Sequence, residues 1–230
     1  MLEIKDIINQ VHCADCLTFM HELPDKCVDL VLTDPPYEFT TGGGMVGKDR
    51  DYIDKLRDLN CLTFNPTDFL NNLKPKMKVF NGYFFCNKKL VKDYLQFAEN
   101  NDYLFDILVM AKENPIPAYR GHHLSDLEYI IFIREKGSYF RQEQEDIRDF
   151  RKFYLTNCSQ GFHPAEKPID LIKRFIRVSS KQSDLILDPF LGSGTTCVAA
   201  KQLKRNFIGI EISEKYCEIA RGRLRQEILL

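Results

Sequence analysis

The sequence predicts an α/β domain built on a doubly wound, mostly parallel sheet. Three observations carry that prediction. Strand-like and helix-like segments alternate along the chain. Two apolar strands, "VDLVL" at Val28–Leu32 and "DLIL" at Asp184–Leu187, run directly into turns rich in proline or glycine. The length of 230 residues, 44% hydrophobic and 28% charged, suits one globular domain of residues 1–230 that carries an insertion.

Taken in order, Gln10–Cys13 reads as a short strand and Leu17–Glu22 as a helix. Val28–Leu32 is apolar and β-branched enough for a buried strand. It ends in "LTDPPYEF", where two prolines that cannot donate ladder hydrogen bonds stop the pairing. "TGGGMVGKDRD", Thr41–Asp51, has the glycine content of a loop beside that elbow. A short helix is expected over Pro66–Leu73, a strand over Val79–Cys86 and a helix over Lys88–Glu99. Two more strands, Phe105–Ala111 and Glu128–Arg134, flank a segment broken by prolines and glycine. Gly137–Gly161 is charged and weakly periodic, with no clear element. From Pro168 the pattern returns as a helix to Val178, a strand Asp184–Leu187, a glycine turn, a helix Thr195–Leu203, a strand Phe207–Ile210 and a helix Glu214–Leu224.

Bulk properties exclude some functions. No apolar run approaches the roughly 18 residues of a membrane span, and "MLEIKDIINQ" lacks the apolar stretch of a signal peptide, so a cytoplasmic protein without membrane contact is expected. A net charge of −1 gives no global attraction to a polyanion, which leaves nucleic-acid contact to local clusters. Eight scattered cysteines fit reduced thiols; "HCADC" holds a CxxC, but no second ligand pair follows at zinc-site spacing, so no metal is expected.

The turn after the strand Asp184–Leu187 is the most informative local feature. Asp188 ends the strand, Gly192-Ser193-Gly194 let the backbone approach a ligand closely, and the following helix opens with unpaired N–H groups. Glu211 stands 19 residues after Gly192 (211 − 192), close to the separation at which nucleoside-binding folds place an acid for the ribose hydroxyls. No Gly-Lys-[Ser/Thr] follows, which argues against a P-loop, and Cys197 replaces the third glycine of a dinucleotide fingerprint. A nucleoside with a charged, phosphate-free tail fits: S-adenosylmethionine. In a doubly wound sheet, ligands bind at the carboxyl ends beside the switch point, so adjacent strands would bring Asp34 and Asp188 to one cleft.

Four motifs, "TDPPY" (Thr33–Tyr37), "HPAEKP" (His163–Pro168), "DPFLGSGTT" (Asp188–Thr196) and "FIGIEISEKYCEIARGRL" (Phe207–Leu224), resemble in this order the β-group DNA amino-methyltransferases. The resemblance covers both ends of the chain and is faint in the middle. It implies a Rossmann-like S-adenosylmethionine-dependent methyltransferase fold, with 112–162 as a target-recognition insertion. It implies methyl transfer to an exocyclic amine of a base in a specific short double-stranded DNA site. Asp before Pro-Pro-Tyr favours adenine N6, with cytosine N4 or an RNA adenine as the alternatives. In such enzymes Asp34 and the Pro35 carbonyl accept the amine hydrogens, Pro36 keeps the elbow rigid and Tyr37 stacks on the flipped base.

The same resemblance assigns Asp188, Pro189, Phe190, Gly192, Ser193, Gly194, Thr195 and Thr196 to the cofactor's methionine and ribose portions and Glu211 to the ribose hydroxyls. Asp15 and Cys16 fall to the adenine, and Lys167 to the methionine carboxylate. Asp15 also stands where it would cap the helix near Leu17, and Lys167 also reads as a solvated lysine before a proline-started helix. Candidates for DNA phosphate contacts are Lys88, Lys89, Lys112, Arg120, His122 and His123. Partners implied are double-stranded DNA, a cognate restriction endonuclease, and a second copy of the chain in a homodimer.

Overall fold

Apolar strands flanked by helices settle into a three-layer sandwich, because the central strands are buried on both faces. The computed structural model describes residues 2–36, 64–112, 127–141, 154–155 and 167–226. Its strands are β1 (Gln10–Cys13), β2 (Leu30–Thr33), β3 (Asn81–Cys86), β4 (Leu104–Lys112), β5 (Leu127–Arg134), β6 (Tyr154–Leu155), β7 (Leu185–Asp188) and β8 (Asn206–Glu211). The helices are α1 (Ile4–Ile7), α2 (Cys16–Glu22), α3 (Pro66–Leu73), α4 (Val91–Asn100), α5 (Ile169–Ser179), α6 (Thr195–Gln202) and α7 (Glu214–Gln226). Among the described residues the strands form one sheet in the order β1-β8-β7-β2-β3-β5-β4-β6.

Side chains alternate between the two faces with the strand period of two. Val31, Phe84, Leu185 and Leu187 pack into a core with Met20 of α2, Phe69 and Leu73 of α3 and Tyr94 of α4. Leu30, Leu32, Tyr83, Phe85 and Ile186 face the other way, onto Phe175 of α5, Val198 of α6 and Ala220 of α7. Tyr83 lies between Phe132 and Phe175, each ring centroid at 4.2 Å, and its hydroxyl meets Ser179 Oγ at 2.8 Å. Burial pushes that phenol above its ordinary range, so it is a neutral structural group.

The five strands from β1 to β3 are mutually parallel, whereas β3·β5 and β5·β4 are antiparallel. The chain leaves β7 toward β8 on one side and β2 toward β3 on the other. The boundary between β7 and β2 is therefore the switch point, where the carboxyl ends open a crevice.

The predicted elements agree with these, with shifts of a few residues at their ends. The strand expected from Val28 begins at Leu30, and Val28 forms only an isolated bridge to Met77. The helix expected from Lys88 begins at Val91, because the Asn87 side chain accepts from Lys89 N (2.9 Å) and Leu90 N (3.2 Å) and holds a turn there. Short α1 and the two-residue β6, paired in parallel with Ala111–Lys112, escape the sequence pattern. The Thr41–Asp51 loop, Tyr37, Arg120, His122 and His123 lie outside the described residues.

Candidate functional site

Parallel pairing places four acids along one sheet edge, each at or just after the carboxyl end of a neighbouring strand: Asp15 (β1), Glu211 (β8), Asp188 (β7) and Asp34 (β2). An edge so lined favours a cationic ligand. The two motifs at the switch point are joined directly, since Thr33 Oγ1 donates to Asp188 Oδ1 at 2.7 Å. Asp188 is buried, and burial raises its carboxyl to about 6 against the opposing hydrogen bonds from Thr196, Thr33 and the Phe190 N–H.

The glycine turn is fastened from several sides. Glu211 Oε2 accepts from Gly192 N and Oε1 from Ser213 N, both at 2.9 Å, so the acid closes the turn onto β8. Burial raises the Glu211 carboxyl, and these backbone N–H groups oppose the shift. Arg223 of α7 donates through Nη1 to the Ser193 carbonyl (2.9 Å), the Ser193 hydroxyl (3.0 Å) and the Thr195 hydroxyl (3.1 Å). Gly194, at φ +94°, lies against α7, where an added Cβ would meet Ala220 Cβ at 2.7 Å. Gly192, at φ +55°, is different: among the described residues a Cβ there would find nothing within 4 Å. The turn thus presents bare backbone to open space, which is the cradle a close-fitting ligand needs.

On the other side of the crevice Pro35 is buried and Asp34 and Pro36 half-buried. Asp34 pairs with Lys167, two residues ahead of α5, and Lys167 Nζ also lies 3.5 Å from Glu128 Oε2 of β5. Burial alone would lower the lysine's pKa, but the two carboxylates outweigh it and hold the ammonium above its ordinary value. Cys86, at the end of β3, is pushed up to about 12 by burial and then by Asp34 and Glu128, so it offers no thiolate nucleophile.

A DNA methylase family model, of the N6/N4 type, matches residues 28–222. The chain belongs to the DNA methylase family. It is 28% identical to the type II methyltransferase M2.MboI of Moraxella bovis, over 94% of this chain and 87% of that one. It is also 28% identical to the type II methyltransferase M2.DpnII of Streptococcus pneumoniae, over 93% and 88%. Among solved structures, the M1.HpyAVI–SAM complex superposes with a TM-score of 0.68 at 25% identity, covering 93% of this chain and 98% of that one. The cytosine-N4-specific PvuII DNA methyltransferase shares the fold, with a TM-score of 0.65 at 17% identity over 93% and 85%.

In this DNA methylase several candidate residues have structural partners that the sequence did not reveal. Asp15 caps α2, its Oδ1 accepting from Thr18 N and Thr18 Oγ1, both at 2.8 Å. That cap engages one oxygen and fixes the residue one step beyond Ala14, whose N–H donates to the Glu211 carbonyl. Lys167, expected beside the cofactor's carboxylate, pairs with Asp34 and Glu128. The cation is drawn there by two acids in a half-buried setting. Phe190 packs edge-on to Phe64 at 5.5 Å and tilted against Phe69 at 5.5 Å. Exposed Lys88 and Lys89 follow β3 at the same edge as Asp34, and Lys112 closes β4. Cys13 keeps company with Glu214 and Cys217, ligand atoms within 4.8 Å; Arg221 already pairs with Glu214 at 2.7 Å. Glu128, Thr33 and Arg223 are site residues the sequence does not single out: Glu128 has no local signal, and Thr33 and Arg223 stand inside the quoted motifs but read there as an ordinary strand residue and an ordinary helix residue.

Proposed function

We propose that the protein transfers a methyl group from S-adenosylmethionine to the N6 amine of adenine in a specific short double-stranded DNA sequence, after the base leaves the stack. The observation that carries the reading is the Thr33–Asp188 hydrogen bond, which ties the Asp-Pro-Pro elbow to the glycine turn at the switch point. The chain's place in the DNA methylase family supports the reaction class, and Asp34, rather than a serine, before Pro35-Pro36 supports adenine. No helix among the described residues is long and apolar enough to cross a membrane.

Bound S-adenosylmethionine supplies a methyl carbon on a sulfonium, electrophilic enough for an amine to attack, with the thioether as leaving group. The bare backbone at Gly192, with Ser193 to Thr196 behind it, would hold the methionine and ribose portions; Glu211 would serve the ribose hydroxyls and Asp15 with Cys16 the adenine. An exocyclic amine is a poor nucleophile while its lone pair is delocalised into the ring. The Asp34 carboxylate and the Pro35 carbonyl would each accept one of its N–H groups, drawing the nitrogen toward a tetrahedral shape. Asp34 would also hold the proton the nitrogen sheds. Tyr37 would stack on the extruded base. Lys88 and Lys89, exposed just after β3, would meet phosphates.

The test is incubation with labelled S-adenosylmethionine and unmodified DNA, RNA or metabolite pools, followed by identification of the methylated nucleoside. N6-methyladenine in DNA is expected. Label on cytosine N4 would retain the site chemistry and overturn the adenine assignment, while label only on non-nucleic-acid acceptors would overturn the whole reading.

A further inference from the structure

We propose that Lys167 is a positioning residue for the transfer, its ammonium shared between Asp34 and Glu128 so that Asp34 meets the amine as a carboxylate with one oxygen committed to the lysine. This rests on the functional reading above and assigns the lysine to the acceptor side of the crevice, not to the cofactor's carboxylate. Three distant segments build the arrangement: the β2 end supplies Asp34, β5 supplies Glu128, and the residue before Pro168 supplies Lys167. Lys167 and Glu128 are well withdrawn from solvent, with side-chain exposures of 9% and 13%, and Asp34 keeps 25%. The face of the Phe85 ring lies 5.0 Å from Nζ, so the ammonium has two anions and a π face in place of water.

Electrostatics explain why such a cation would be kept beside a catalytic acid. Two carboxylates and one ammonium sum to one negative charge, which complements positive charge developing on an attacking amine. Without the ammonium, two partly buried carboxylates would be left together, and like charges in that setting share a proton. A protonated Asp34 is a poor acceptor for an N–H group. The other titratable groups around the trio, among the described residues, are Asp188 of β7, Cys86 of β3 and Tyr94 of α4. Burial keeps the Cys86 thiol and the Tyr94 phenol protonated, so neither replaces the lysine's charge. Glu128 is the partner that keeps Lys167 at this depth, since a lone buried ion pair with Asp34 would free the lysine to follow that carboxylate toward substrate.

The experiment compares full-length wild type with Lys167→Met, Lys167→Arg and Glu128→Gln, reading kcat and KM for DNA across pH and S-adenosylmethionine affinity by calorimetry. Lys167→Met should lower kcat by roughly 100-fold at neutral pH, recover part of it as pH rises, and leave cofactor affinity within about threefold. Lys167→Arg should restore much of the rate, and Glu128→Gln should lose less than Lys167→Met. Circular dichroism checks that each variant is folded, and Lys167→Arg carries the test if Lys167→Met is not. A large loss of cofactor affinity with an unshifted pH profile would return Lys167 to the cofactor carboxylate and overturn the proposal, as would unchanged kcat. If wild type binds S-adenosylmethionine but methylates no nucleic acid, the functional reading fails separately. The stabilities of Lys167→Met and Lys167→Met/Glu128→Gln then decide: removing the second acid should recover much of what loss of the ammonium costs in urea denaturation, and no recovery would refute the lysine's role.

Discussion

The two strand-end motifs that meet at the crevice are held by different forces. The glycine turn is tied down by hydrogen bonds on several sides, from Glu211, Arg223 and the Leu191 N–H to the Ile210 carbonyl. The proline elbow is rigid by covalent geometry, and its acid is held by a charge, Lys167, brought from 133 residues away. A ligand reaching the turn meets a finished surface; one reaching the elbow meets a carboxylate already paired. Binding and chemistry should therefore separate under mutation, with fold and cofactor affinity responding at the turn and rate at the elbow.

The largest structural effect is expected at Gly194. Its φ of +94° and the 2.7 Å approach to Ala220 Cβ leave no room for a side chain, so Gly194→Val should lose about 3 kcal/mol or more in urea denaturation. Gly192→Val sharpens the contrast. With open space around it and a milder φ of +55°, this variant should fold, at a penalty of about 1–2 kcal/mol, yet bind S-adenosylmethionine at least roughly 10-fold more weakly by calorimetry. Equal losses of stability at the two glycines would show that the turn is a packing device and not a cradle.

A smaller effect concerns pH. Asp188 has its folded value raised from 3.8 to about 6, so between those limits the folded state binds a proton that the unfolded state has released. Its contribution is thus favourable below that window and is lost as pH rises through about 6. Asp188→Asn should flatten the stability profile across that interval, measured by denaturation at several pH values. A profile as steep as wild type would place the titration elsewhere. Thr33→Val is the gentlest probe. It removes the donor to Asp188 Oδ1, should cost about 1 kcal/mol, and should move the Asp188 titration upward.

What the sequence revealed follows the same division. Strands, helices and the two strand-end motifs were legible because each is a local pattern: alternation and apolar runs set β2, β3, β7 and β8, and a glycine turn before paired threonines set the start of α6. Pairing direction was not, since nothing within "LEYIIFIR" distinguishes an antiparallel β5 from another parallel strand. The Asn87 turn delayed α4 by a side-chain bond that periodicity does not register. At the site, the position of Asp34 beside Asp188 followed from the doubly wound order. The partners of Lys167 did not, because they require three separate segments to be placed in space and one of them, Glu128, is an unremarked acid in a strand. Glu211 was expected to face a ligand, and its bonds to Gly192 and Ser213 add a structural duty that its spacing alone could not reveal.

The division between a binding turn and a reacting elbow is tested most directly by Asp34→Ala, assayed for cofactor affinity by calorimetry and for labelled methyl transfer to DNA. Affinity should stay within about threefold of wild type while transfer falls by roughly 1,000-fold or more. Near-normal turnover in Asp34→Ala would contradict the account, because the amine would then be activated without the acceptor on which the elbow's role depends.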